Sequence, residues 1–81
     1  MNSNVNELLK IAINYFNESD YENAKKFLNK ILLINQDDFV ANRSLGVIYG
    51  LEKKYDLAVQ HFKKSYNLKP NDITTIFNLA K

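Results

Sequence analysis

The chain has 81 residues, 46% of them apolar, with eleven basic and nine acidic side chains and a net charge of +2. That describes one small globular domain or part of one, and excludes a charged disordered tail. Two glycines and one proline are too few for the turns of an all-β sandwich or barrel, and the absence of cysteine excludes disulfides, thiolate catalysis and cysteine-based zinc sites.

Helical periodicity begins at once. Val5, Leu8, Leu9, Ile11, Ala12, Ile13, Tyr15 and Phe16 share one arc at about 100° per residue, opposite Asn6, Glu7, Lys10, Asn14 and Asn17. The arc is roughly 200° wide, whereas a helix lying on one core needs little more than 100°, so the first helix has two apolar faces to satisfy. Ser19-Asp20-Tyr21-Glu22 reads as a capping box opening a second helix, near Asp20 to Ile34. Tyr21, Ala24, Leu28, Ile31 and Leu32 form its buried face, and Glu22 and Lys26 an i,i+4 pair outside. Gln36-Asp37-Asp38 ends that helix and caps a third, over about Phe39 to Leu51. A fourth spans about Tyr55 to Leu68, buried through Tyr55, Ala58, Phe62 and Tyr66. Pro70 stops the register, Asn71 or Asp72 caps a fifth helix from about Ile73, and no stop signal follows before Lys81.

A shift of 34 residues aligns the chain with itself. Tyr15 falls on Tyr49, Glu18 on Glu52, Tyr21 on Tyr55, Ala24 on Ala58, Lys30 on Lys64 and Asp38 on Asp72. Ile11 and Leu45, Ala12 and Gly46, Leu28 and Phe62 add similar pairs. Two helices per 34-residue period signal a helical solenoid. The second period carries Leu45-Gly46, Tyr49, Ala58, Phe62 and Pro70, with Asn42 at the position for a first large residue. The first carries Leu8, Ile11-Ala12, Tyr15, Ala24 and Leu28, with Gln36 in place of proline. In these motifs the chain resembles the tetratricopeptide repeat family.

The resemblance implies an all-α, right-handed superhelical array of antiparallel helix hairpins, with about five helices in one domain over 1–81. The repeats would occupy 5–38 and 39–72, with a partial third over 73–81. It implies a non-catalytic module for protein–protein interaction, with no cofactor, whose first helices line a concave groove for a peptide or partner helix. The matching groove residues are Leu9, Ile13, Phe16, Val40, Arg43, Val47, Leu51 and Phe77. Some members of the family clamp chaperone C-terminal carboxylates with cationic and amide side chains. Leu9, Ile13, Ser44, Thr74 and Asn78 stand at those positions; none is cationic, so such tails are not the expected ligand. An apolar or amphipathic segment is.

The residues suggest no enzyme. His61 is the single histidine, has no Cys or second His to work with, and reads as a packing residue in the place of Phe27. Asp37 and Asp38 lie at a helix start, where capping explains them. The lysines gather on second helices among acidic residues, as on a solvated face, so neither nucleic acid nor a metal is an expected partner. The longest apolar run, Ile31 to Ile34, is far short of a membrane span, and the first residues lack the pattern of a secretory signal. With no cysteine, a cytoplasmic location is expected. Two rivals to ligand binding are self-association through the apolar last helix or the groove, and service as the N-terminal scaffold arm of a larger enzyme.

Overall fold

The computed structural model describes residues 2–71, with side chains from Asn4 onward. Four helices follow one another: α1 (Asn2–Asn17), α2 (Tyr21–Ile34), α3 (Phe39–Leu51) and α4 (Tyr55–Leu68). No strand occurs among the described residues. The helix expected from Ile73 lies outside them, so the count here is four rather than about five.

The two hairpin turns are built alike. Ser19 and Lys53, 34 apart, are the non-glycine residues with positive φ among the described residues, at 61° and 64°. The Asp20 amide donates to the Tyr15 carbonyl at 2.9 Å and the Ser19 amide to Phe16 at 3.0 Å. The Lys54 amide donates to Tyr49 at 2.8 Å and the Lys53 amide to Gly50 at 3.1 Å. These paired bonds close each first helix in a Schellman motif, and each left-handed residue costs roughly 1–2 kcal/mol relative to ordinary backbone. The motif also moves the cap of α2. Ser19 is used in ending α1, so Asp20 rather than Ser19 is the N-cap. Its carboxylate accepts from the Asn23 amide at 3.3 Å and from Asn23 Nδ2 at 2.8 Å. Glu22 therefore does not reach back to the cap. It pairs with Lys25 at 3.1 Å, in place of the expected partner Lys26.

The links between repeats also match. Asn35 and Lys69 are both extended, with φ −145° and −141°. Both amides donate back at 2.8 Å, to the carbonyls of Ile31 and Ser65. Lys69 precedes Pro70, which disfavours the helical region. Asn35 has no proline after it and uses its side chain instead: Oδ1 accepts the Asp37 amide at 3.1 Å in an Asx-turn. Asp38 then caps α3 by accepting the Ala41 amide at 2.8 Å.

Within each hairpin the helices pack on each other, and the hairpins meet through α2 against α3. Ala12, Ala24, Leu28, Ile31, Ala41, Leu45 and Ile48 form the core. Helix α3 lies between α2 and α4, and buries Ala41, Asn42, Leu45, Gly46 and Ile48. Of the equivalent α1 positions, only Ala12 is buried. Small and large residues are matched across each hairpin. Ala12 and Leu28 occupy the positions that Gly46 and Phe62 occupy 34 residues later. A Cβ added at Gly46 would lie 2.9 Å from carbons of the Phe62 ring, so glycine is required there by close approach.

Two expectations for α4 are corrected. Tyr55 and Tyr66 are 62% and 42% exposed; its buried residues are Ala58, Phe62 and Ser65. Tyr21, the counterpart of Tyr55, packs on Phe16 with ring centroids 5.7 Å apart. Gly50 stands at the Phe16 position in the second repeat and offers no ring. Leu32, the counterpart of Tyr66, is partly buried and packs against the core; residues 72–81 lie outside the described residues.

One ion pair ties the repeats together. Lys25 Nζ on α2 lies 2.8 and 3.0 Å from the carboxylate oxygens of Glu52 at the end of α3. The two side chains are 13% and 23% exposed, so Lys25 is not part of a solvated face. The hydrogen bond that Lys25 donates to Glu52 raises the Lys25 pKa above its ordinary value, against an opposing effect of burial. Lys64 on α4 adds a link to Asp37 at 2.7 Å, in the loop between the repeats.

Candidate protein-interaction surface

Helices α1 and α3 are the first helices of successive hairpins, and the repeated turns give them equivalent places in the array. Leu9, Ile13 and Phe16 follow at steps of four and three residues, which places them along one face of α1. Val40, Arg43, Val47 and Leu51 follow at steps of three, four and four along the equivalent face of α3. Ile13 is 40% exposed and Leu51 57%. Leu9 and Phe16 are partly buried and pack against the core, so they serve the fold as well as the face. Val40, Arg43 and Val47 are half-buried. Phe77 lies outside the described residues.

Near the start of α3 the face carries charge. The Arg43 guanidinium lies 5.1 Å from the centre of the Phe39 ring, and Lys69 Nζ 4.8 Å from the same ring. Cations over an aromatic face are held electrostatically. Lys30 lies likewise over Phe27, at 4.8 Å. With Lys25 and Lys64 in ion pairs, four of the lysines that a phosphate-binding stripe would need have partners inside the fold.

His61 is half-buried between α3 and α4, and its ring stacks on Tyr49 at 5.6 Å, as Phe27 stacks on Tyr15 at 5.8 Å. The Asn42 Nδ2 donates to the carbonyls of Gln36 at 3.1 Å and Asp38 at 2.8 Å. This turns Oδ1 toward His61 Nδ1, 3.1 Å away, so Nδ1 carries the proton and donates it. Burial lowers the histidine pKa from its ordinary value near 6.5. Ser65, fully buried, donates to the carbonyls of His61 at 3.0 Å and Phe62 at 3.3 Å. No buried side-chain nitrogen or oxygen among the described residues lacks a partner, and the histidine packs in this seam through Tyr49 and Asn42. Among the described residues no group of three acidic, histidine or cysteine side chains could hold a metal ion. None of their helices is long and apolar enough to cross a membrane.

Sequence reasoning treats Tyr55 as core, and its relation to Gly50 is visible only beside Phe16 and Tyr21. The signal was present in the 34-residue register, where the tyrosine is retained and its aromatic neighbour is not.

Comparison with known proteins agrees with the geometry. The family model described as Tetratricopeptide repeat matches residues 8–38 and 44–72. Among curated proteins, the E3 SUMO-protein ligase RanBP2 of Homo sapiens and that of Pan troglodytes are each 30% identical over 67 residues, covering 83% of this chain and 2% of their own length. The human RANBP2-like and GRIP domain-containing protein 8 is 28% identical over 67 residues, covering 83% of this chain and 4% of its own. The chain thus spans only a few per cent of the relatives it matches. No solved structure matches it.

Proposed function

The chain belongs to the tetratricopeptide repeat family, whose repeats generally mediate protein–protein interaction, and from that premise we propose that it binds an apolar or amphipathic peptide or helix along α1 and α3. The observation that carries this reading is the apolar surface left on those helices after the core is filled, with Ile13 40% and Leu51 57% exposed at equivalent faces. An apolar stripe that the fold does not use is suited to a partner's apolar side chains. Arg43, beside Phe39, adds a site of charge selection at one end. The role is non-catalytic, and a cytoplasmic location belongs to the same proposal. The ligase activity in the name of one relative stays with that protein.

The test uses peptides of about 12–16 residues selected from a displayed library on the intact chain. Ile13→Asp combined with Leu51→Asp is expected to weaken their binding at least tenfold while circular dichroism is unchanged, because each large anchor contributes about 1.5–3 kcal/mol when buried. Both residues are exposed, so the substitutions spare the core. Unchanged affinity would place the site elsewhere, and lost helicity would assign the residues to the fold. Light scattering on the same sample distinguishes self-association, which would occupy the same apolar surface with a second copy.

A further inference from the structure

Gly50 is a glycine that nothing among the described residues requires. Its φ is not positive, so its backbone needs no glycine. Apart from its chain neighbours and the backbone of its own helix, no atom of the described residues stands within 4 Å of the place where its Cβ would be, in contrast to Gly46. Glycine inside a helix costs about 1 kcal/mol against alanine, and at Gly50 no packing gain offsets it. The first repeat shows what that space accommodates. With the same turn, the same hydrogen bonds and a left-handed residue at the same position, Phe16 packs there on Tyr21 at 5.7 Å. In the second repeat the tyrosine is kept as Tyr55, 62% exposed, and the phenylalanine is missing.

Beside Tyr55 lies a depression of about 410 Å³, lined by Lys53, Lys54, Tyr55, Asp56 and Leu57. Its rim carries two lysines against one aspartate. The neighbouring carboxylate of Glu52 is already held by Lys25 at 2.8 Å, with Lys54 more distant at 3.9 Å. The charge that complements this rim is negative.

We propose that the place left open by Gly50 beside Tyr55 is a subsite for an aromatic side chain of the protein partner, with an acidic residue next to it meeting Lys53 and Lys54. The partner's ring takes the position that Phe16 fills within the first repeat. The inference rests on the groove reading and names an anchor that its ligand carries.

The probes are 3-phenylpropionate, toluene and propionate, added to the ¹⁵N-labelled full chain and followed by amide chemical shifts. Saturable shifts at Gly50 and at residues 53–57 are expected with 3-phenylpropionate, without matching shifts at residues 16–23. Its affinity should exceed that of propionate by about tenfold to a hundredfold, the range given by burying one aromatic ring. Toluene should bind more weakly than 3-phenylpropionate, with the difference reduced by salt. Gly50→Phe supplies the missing ring from within; it is expected to raise the melting temperature and abolish the shifts. Absence of shifts, shifts centred elsewhere, or binding that survives Gly50→Phe would overturn the subsite. Selected peptides that lose affinity on Ile13→Asp with Leu51→Asp but not on Gly50→Phe would leave the groove standing and remove this anchor alone.

Discussion

Residues 34 apart in the two repeats stand at the same backbone positions yet fill the hairpin interiors with different chemistry. The first repeat uses Leu8, Phe27 and Ile31; the second uses Asn42, His61 and Ser65. Ile31, Asn42 and Ser65 are buried, at 0%, 3% and 0% exposure. The apolar set contributes by burial and by the ring contacts of Phe27 with Tyr15 and Lys30. The polar set works because it is closed: Asn42 satisfies two carbonyls and the histidine, and Ser65 bonds to the backbone of its own helix. A half-satisfied version would be worse than either. The repeat backbone therefore accepts either solution, provided that volumes fit and donors find acceptors. The small–large pairs teach the same lesson, because Ala12 with Leu28 and Gly46 with Phe62 divide a similar space differently.

Three experiments probe that comparison, beginning with the strongest. Gly46→Ala places a methyl group 2.9 Å from the Phe62 ring and is expected to destabilise the chain by about 1–3 kcal/mol in urea unfolding. Adding Phe62→Leu recreates the pair of the first repeat and should recover much of that loss. Without such recovery, the two pairs are not interchangeable solutions.

The second experiment uses pH. Burial holds the His61 pKa below 6.5, so the unfolded chain binds the proton more readily than the folded chain. The stability contributed by neutral His61 is present above pH 6.5 and declines as pH falls from there to the folded pKa. His61→Phe, which copies Phe27, should remove this part of the pH dependence from urea midpoints measured between pH 5 and 8. The His61 ring meets Tyr49 at 5.6 Å and the Asn42 side-chain oxygen at 3.1 Å, neither of them a charged group. A profile unaltered by His61→Phe would locate the titration elsewhere.

The smallest effect concerns the turns, where the two repeats agree. Ser19→Gly and Lys53→Gly each relieve a left-handed residue, and each should stabilise by about 0.5–1 kcal/mol. Equal gains would show that the two turns carry the same strain. A loss at Lys53 alone would show that its side chain has a further role on the surface beside Tyr55.

Helix boundaries, the 34-residue period and the small–large pairs were legible in the residue pattern, because each depends on contacts within a turn or two of helix or on positions that recur. The capping box was misread by one residue. Ser19 fits the cap motif, but ending α1 in a Schellman motif claims it first. The burial of Tyr55 was misread because identity with Tyr21 hides the change from Phe16 to Gly50 beside it. For the proposed groove, the residue pattern supplied candidate positions on α1 and α3, while exposure separated Ile13 and Leu51 from Leu9 and Phe16.

By itself, then, the sequence determined the helices, their order and the register that makes one hairpin the image of the next. Local hydrogen bonding and helical periodicity suffice for that. Tertiary structure decided what depends on partners far apart in the chain. Lys25 finds Glu52 rather than water, Asn42 turns its oxygen to His61, and Gly50 meets no side chain of the described residues where Phe16 packs on Tyr21. These outcomes depend on how α2, α3 and α4 are set against one another, which no periodicity along a single helix encodes.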